Sequence, residues 1–336
     1  MIDQGTHPRL GWGLVGTSGW ADHTFAPAVR NGGGELLGAA GSSPGSSEAF
    51  ARRHGAPHTY KDLDALLADD DIGAVWIASP TDLHCEQALR ALEAGKHVLV
   101  EKPMATSVGD AEAMAAAARS ARTLTAVGFQ HRFNPSHQRL RELVRTNALG
   151  DLVYFRLHQF IKAEALPTPW RQDPGRSGGW AVNDLGTHVL DLARFLVGEI
   201  EVVGGGLAAA HFNLPVDDLA VILIQFERAQ GATFGTVEVS TTVPETESQM
   251  EVYGTGGVAR VAGSWPGGGR LSAPTGQETF EVVDTYAAQV AALGAAIAEG
   301  SAYDGATWDD GLANVRLVEA LTERGSLLLQ TRGAAG

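Results

Sequence analysis

Three short stretches of this chain carry side chains at spacings suited to proton transfer or phosphate binding. The first is Glu101-Lys102-Pro103, which directly follows the apolar run His97-Val98-Leu99-Val100. A lysine at the carboxyl end of a buried strand can orient an alcohol or carbonyl oxygen, and desolvation or a nearby cation lowers its pKa from about 10.4. The competing reading is a solvated lysine in a loop. The second stretch is Asp184-x-x-x-His188, one helical turn apart, which lets a carboxylate attend a histidine acting as general acid or base. Asp191 continues that stripe, so a metal held by Asp184, His188 and Asp191 is one rival, and a helix cap with a satisfied histidine is the plainest one. The third is Gly16-Thr17-Ser18-Gly19-Trp20-Ala21, a Gly16-x-Ser18-x-x-Ala21 turn with Ser18 in place of the usual second glycine. Small residues there let the backbone turn tightly against a pyrophosphate and aim free helix N–H groups at it. An ordinary tight turn would look similar.

Other polar groups accompany these three. The segment Ala40-Gly41-Ser42-Ser43-Pro44 lacks the acidic residue that holds the ribose hydroxyls of NAD, and Ser42 and Ser43 can hydrogen-bond a 2′-phosphate. This favours NADP over NAD, although the nearest arginines, Arg52 and Arg53, lie a helix away. Ser79-Pro80-Thr81 ends another strand at the same sheet edge, and His84 either touches a ligand or merely begins the next helix. Trp170-Arg171 sits in a proline-rich loop ahead of Ser177-Gly178-Gly179. An indole can cover a nicotinamide or sugar face and an arginine can hold phosphate, while surface packing explains Trp170 equally well. His7, His23, His54 and His58 are scattered and read as ordinary.

The elements that must position these groups alternate over the first 130 residues. Strands are expected at Leu10–Gly16, Glu35–Ala40, Ala74–Ala78, His97–Val100 and Leu124–Val127. Helices are expected at Gly19–Arg30, Glu48–His54, Leu63–Ala68, Leu83–Ala94 and Asp110–Ala121. Short apolar strands alternating with helices mean βαβ units and a doubly wound parallel sheet. After Asn134 the pattern changes to a helix at Ser136–Arg145, then longer strands at Leu152–Phe160, Ala220–Phe226, Thr233–Val239 and Met250–Tyr253. One helix, Asp184–Leu196, lies among them, and two more finish the chain near Tyr286–Ala298 and Asp309–Leu321. The glycine triplets at 32–34, 204–206 and 267–269 read as turns. The fold class is therefore α/β: an N-terminal Rossmann domain over 9–130, then an α+β domain over 131–330 with a large, mostly antiparallel open sheet. That second domain is expected to bind substrate, and its uncovered sheet face to make a homodimer or homotetramer.

Composition bounds the partners. The chain has 336 residues, about two domains' worth, with 44% apolar residues and a formal charge of −14. An acidic molecule of this kind argues against nucleic acid or an anionic membrane surface as partner. Cys85 is the single cysteine, so neither an internal disulfide nor a multi-cysteine zinc site is available. No apolar run reaches the roughly 20 residues of a membrane span, and Met1–Leu10 does not read as a signal peptide. A soluble, cytoplasmic protein is expected.

The chain resembles the glucose-fructose oxidoreductase / inositol dehydrogenase (Gfo/Idh/MocA-like) family over nearly its full length. The residues that carry the likeness are the Gly16 turn, Ser79-Pro80-Thr81-x-x-His84, Gly95-Lys96-His97 through Pro103, Arg132-Phe133-x-Pro135 and Asp184-Leu185-Gly186-x-His188-x-x-Asp191. The resemblance implies NAD(P)-linked hydride transfer at a carbon of a sugar, polyol or keto-sugar. It implies that Lys102, Asp184 and His188 are the catalytic residues, with Glu101, Lys102, Trp170, Arg171 and Tyr286 among the cofactor contacts. Hydride would pass between nicotinamide C4 and a carbinol carbon, His188 exchanging the oxygen's proton, Asp184 orienting it, and Lys102 stabilising charge on that oxygen. Within the family the pattern looks most like the NADPH-dependent 1,5-anhydro-fructose reductases, from which the chain departs at Ser46, in place of a phosphate-binding arginine, and at Gly186. A redox-neutral hydrolase or lyase using bound NAD, and a catalytically silent ligand sensor, are the alternatives.

Overall fold

The computed structural model describes residues 9–227, 231–244, 248–324 and 326–328. His7 lies outside them. The chain divides into two units. One holds the chain up to Met104, then Gly109–Gln130 and Asp284–Asp309; the other holds Ala105–Val108, His131–Val283 and the chain from Asp310 on.

The first unit carries a five-stranded, wholly parallel sheet in the order β2-β1-β3-β4-β5. Its strands are β1 (Gly11–Val15), β2 (Glu35–Ala40), β3 (Ala74–Ile77), β4 (His97–Val100) and β5 (Thr125–Val127). The Ala-Val-Trp-Ile of β3 is buried at every position, as expected of a strand covered on both faces. Helices α1 (Ala26–Asn31), α2 (Pro44–His54), α3 (Leu63–Leu67), α4 (His84–Glu93) and α5 (Val108–Ser120) connect the strands. Ser43 and Ser46 cap α2 reciprocally with Pro44 in its first turn, and Gly55 closes it at φ 58°. The helix expected after the Gly16 turn is present, but Ala21–Phe25 is wound as a π-helix before α1.

The second unit opens with α6 (Pro135–Arg145), β6 (Leu152–Phe160), α7 (Pro174–Ser177) and α8 (Thr187–Val197). A π-helical turn, Val182–Gly186, leads into α8. Strands β7 (Ile200–Ala208), β8 (Leu219–Phe226), β9 (Thr233–Ser240), β10 (Gln249–Gly254), β11 (Gly257–Ala262), β12 (Gly269–Ala273) and β13 (Gly276–Phe280) follow. The chain then runs through α9 (Thr285–Glu299), α10 (Trp308–Arg324) and β14 (Ser326–Leu328). The sheet has nine strands in the order β13-β12-β11-β10-β6-β9-β8-β7-β14, antiparallel except at β6–β9 and β7–β14. One face packs on α6, α8 and α10 through Leu140, Leu190, Ile222, Val237, Val252 and Leu321. Beside that core, the buried Arg132 guanidinium holds Asp191 at 2.6 and 2.9 Å and Asp310 at 3.0 and 3.3 Å.

Two expectations are corrected. The triplet Gly204-Gly205-Gly206 is not a turn; it lies inside β7, next to a register shift at Val202/Gly204. Three residues without side chains show no alternation, so the strand was invisible as a pattern. The span 131–330 is also interrupted, because Asp284–Asp309 groups with the first unit. There the amide of Val127 donates to Ala306 O, Gln289 Nε2 to Val127 O, and Trp308 Nε1 to Ala126 O. The returning segment thus completes the hydrogen bonding of β5.

Candidate active site

In the first unit, three neighbouring parallel strands deliver polar turns to one edge of the sheet. β1 ends at Gly16, β3 at Ala78-Ser79 and β4 at Glu101-Lys102-Pro103. Gly16 sits at φ 114°, donates to Ala40 O at 2.9 Å, and would place a Cβ only 2.7 Å from Ala78 O. Only glycine fits there. Ser18, Gly19 and Trp20 are exposed beyond it and Thr17 is half-buried, as the turn needs in order to receive a ligand. The Ser18 hydroxyl lies 3.4 Å from the Ala21 amide. Lys102 is half-buried, and its bond to Pro103 is cis.

Several neighbours expected to touch a cofactor are occupied otherwise. His84 is fully buried, with Nδ1 3.0 Å from Pro103 O and Nε2 2.9 Å from Ser79 O. Burial lowers its pKa against the pull of these carbonyls, and the ring stands as a strut between the two turns. The Ser79 hydroxyl donates to Gln87, and Thr81 is buried beside Pro80 at the start of a 3-10 turn. Glu101 is buried and accepts from Trp76 Nε1 at 3.1 Å. Tyr286 packs edge-on to Phe25 and near Trp76. Ser42 and Ser43 are exposed, but Ser43 spends its acceptor on capping α2, and Arg53 is held by Asp22 at 2.9 Å.

Burial pushes the Glu101 carboxyl up to about 7, against the pull of Lys102 and the Trp76 indole. The folded state therefore holds this proton more tightly than the unfolded chain, whose carboxyl titrates near 4.5. Stability is fully present below that value and is lost as pH rises to 7, by up to about 3 kcal/mol. Glu101→Gln should flatten this slope. Thermal melts of both proteins from pH 4.5 to 8 check it, and identical pH dependence would refute it.

In the second unit, the π-turn and α8 carry Asp184 and His188. Asp184 is half-exposed and accepts from Arg171 Nε at 3.1 Å, while the Arg171 guanidinium stacks 4.4 Å over the Trp170 ring. Arg171, expected to hold phosphate, is thus joined to the carboxylate of the catalytic candidate. His188 is buried with its ring 4.7 Å from His131 in an edge-to-face contact, and Trp265 lies 5.0 Å from the same His131 ring. His137 Nδ1 lies 2.9 Å from His131 O, and burial holds its pKa down at about 4, so it is neutral. His131, His137, Gln159, Ser248, Ser264 and Trp265 help to line a cavity of about 10 Å³, room for one water. Asp191 points elsewhere, to Arg132, which removes it from the metal set considered with Asp184 and His188. Among the described residues no group of three ligating side chains is placed to hold a metal.

The sequence matches known proteins across both units. The profile described as an oxidoreductase family with an NAD-binding Rossmann fold (GFO_IDH_MocA) covers residues 10–129, and the GFO/IDH/MocA C-terminal domain covers residues 137–260. An inositol 2-dehydrogenase of Rubrobacter xylanophilus is 32% identical over 77% of this chain and 73% of its own length. The chain belongs to the Gfo/Idh/MocA family. It is an NAD(P)-linked oxidoreductase of that family. A 1,5-anhydro-D-fructose reductase of Ensifer adhaerens is 29% identical over 90% of this chain and 92% of its own. A solved levoglucosan dehydrogenase in complex with NADH is 25% identical, with a TM-score of 0.85 over 94% of this chain and 97% of that one. In this Gfo/Idh/MocA protein, sequence reasoning did not single out His131, His137 or Asp217, whose surroundings come from distant parts of the chain.

Proposed function

We propose that this enzyme moves a hydride between the nicotinamide of NADP or NAD and a carbinol carbon of a neutral sugar, polyol or keto-sugar. The observation that carries this reading is the convergence of the open Gly16 turn and Lys102 at one edge of the parallel sheet. The first unit's residues fit a dinucleotide, since Ser18, Gly19 and Trp20 of the turn are exposed and a Cβ on Gly19 would meet nothing within 4 Å. The nicotinamide supplies or accepts the hydride. In the first unit Lys102 is assigned to hydrogen-bond the reacting oxygen and stabilise its developing charge; in the second, His188 is assigned the proton exchange and Asp184, bonded by Arg171, its orientation. The relatives act on an anhydro-fructose, an inositol and levoglucosan by name, all neutral polyhydroxyl compounds.

The absence of an acid after β2 favours NADP, with Ser42 and Ser43 facing solvent to receive its 2′-phosphate. A spectrophotometric screen of sugars, inositols and keto-sugars with both cofactors tests substrate class and cofactor together. A lower KM for NADP than for NAD is expected. Absence of net NAD(P)H turnover across the panel would overturn the redox reading.

The same proposal includes self-association through the outer face of the nine-stranded sheet, in the cytoplasm. On that face Val221, Leu223 and Phe234 are exposed on adjacent strands, beside Tyr154 and Tyr253. Large apolar side chains exposed on adjacent strands of one open sheet face support this reading. Sedimentation of Leu223→Lys should show a smaller species than the wild type; an unchanged mass would exclude this face.

A further inference from the structure

The helix that carries Asp184 and His188 begins without a local cap. Ala181 stands at its N-cap position, and no neighbouring side chain bonds the first amides of the π-turn. Ser177, the nearest hydroxyl, donates to the carbonyls of Arg171 and Asp173 and accepts from the amide of Gly179. The first turn of a helix leaves its amides without intrahelical partners, and a negative charge is favoured there.

Those amides converge on one residue far along the chain. Asp217, just ahead of β8 and only 4% exposed, accepts from Trp180 N at 2.9 Å through Oδ1 and from Val182 N at 2.7 Å through Oδ2. Its backbone carbonyl accepts from Ala181 N at 3.1 Å. Three successive amides are therefore fixed by a single aspartate. The glycine turn before them is shaped to the same group, because a Cβ on Gly179 would stand 2.6 Å from Asp217 Oδ1. Asp184 N then bonds Trp180 O at 2.7 Å, so the residues clamped by Asp217 and the turn bearing Asp184 are directly linked.

We propose that Asp217 is a positioning residue for catalysis: through the amides of Trp180, Ala181 and Val182 it sets the start of the helix that aims Asp184 and His188. This rests on the roles assigned to those two residues above. A carboxylate suits the task because both its oxygens accept, and each is engaged by a separate amide. Asparagine keeps the shape but turns an N–H toward one of those donors, so the helix start must shift.

Asp218 provides a matched comparison. It is equally buried and accepts from the amides of Ala210, His211 and Phe212 at 2.7 to 2.8 Å, bracing a loop that carries none of the assigned catalytic residues. Full-length Asp217→Asn, Asp218→Asn and His188→Asn would be compared with the wild type for kcat, KM, NAD(P)H affinity by fluorescence titration, and melting temperature. The substrate is the best one from the screen above. Asp217→Asn is expected to lower kcat about 100-fold with KM and cofactor affinity within about threefold, the size of loss that a misplacement near 1 Å produces. Asp218→Asn should melt earlier and keep its kcat. Should Asp217→Asn not fold, Gly179→Ala, which presses on the same carboxylate and on Val182 and strains a backbone at φ 138°, should also lower kcat with KM held. If His188→Asn is inactive while Asp217→Asn, or failing it Gly179→Ala, matches Asp218→Asn in kcat, Asp217 has no positioning role and the assignment of His188 stands. If His188→Asn turns over like the wild type, the assignment itself is wrong.

Discussion

Lys102→Ala is expected to lower turnover by about a thousand-fold while changing cofactor affinity no more than about threefold. The asymmetry follows from where the lysine sits. It leaves β4 at the sheet edge shared with Gly16 and Ser79, half-buried and one residue past the buried Glu101. The dinucleotide's pyrophosphate is assigned to the backbone of the Gly16 turn, which the substitution does not touch. The ammonium is assigned to the reacting oxygen, where charge develops as the hydride leaves or arrives. An interaction stronger in the transition state than in the bound ground state appears in kcat. Lys102→Arg should recover little, because a planar fork cannot replace a compact point charge at one oxygen. Steady-state kinetics and fluorescence titration with NAD(P)H separate the two effects. Wild-type turnover in Lys102→Ala would remove the lysine from the mechanism.

The largest effect on stability is expected at Asp191. Its carboxylate is buried and binds Arg132 at 2.6 and 2.9 Å, and Arg132 has only 11% of its side chain exposed. Asp191→Ala leaves that guanidinium in the interior with Asp310 as its remaining carboxylate, at a cost of about 3 kcal/mol. For a unit of this size the melting transition should fall by roughly 10 °C. Replacing both partners, as Arg132→Leu with Asp191→Leu, should lie nearer the wild type than either single change, since no buried charge is then stranded. Asp310 keeps Arg194, 3.1 Å away, in that double variant. Calorimetry of the single and double variants reads this directly. A loss of less than about 2 °C in Asp191→Ala would show that the pair is not holding the second unit together.

The first unit was readable over residues 9–130, where its information is local, and not in the returning segment Asp284–Asp309. Each strand is a short apolar run and each helix follows within a few residues. β4 lies where the sequence places it, and so does the Gly16 turn. The family likeness rested on turns that the parallel sheet collects at one edge. The second unit was readable where its strands alternate, as in β6, and unreadable where glycine erases the alternation, as in β7. The site was legible as residue types and opaque as partnerships. Asp184 and His188 are visible at their spacing, but nothing near Asp184 announces that Arg171 will bond it. Nor does anything near Trp180 announce that the cap will come from Asp217. His84, readable either as a ligand contact or as the start of a helix, is the first residue of α4, and the carbonyls that its two nitrogens face could not be read from its neighbours in sequence.

The return of Asp284–Asp309 to the first unit has a consequence for how the protein is made. A ribosome releases this chain from its amino end, and by residue 130 all five strands of the parallel sheet have been synthesised. The partners of β5, namely Gln289, Ala306 and Trp308, have not. At ordinary elongation rates they emerge roughly 10 to 35 s later, after the whole nine-stranded sheet except its last strand. During that interval the nascent parallel sheet stands with its final strand half-dressed, so the order of translation makes the earliest-born unit one of the last to be finished.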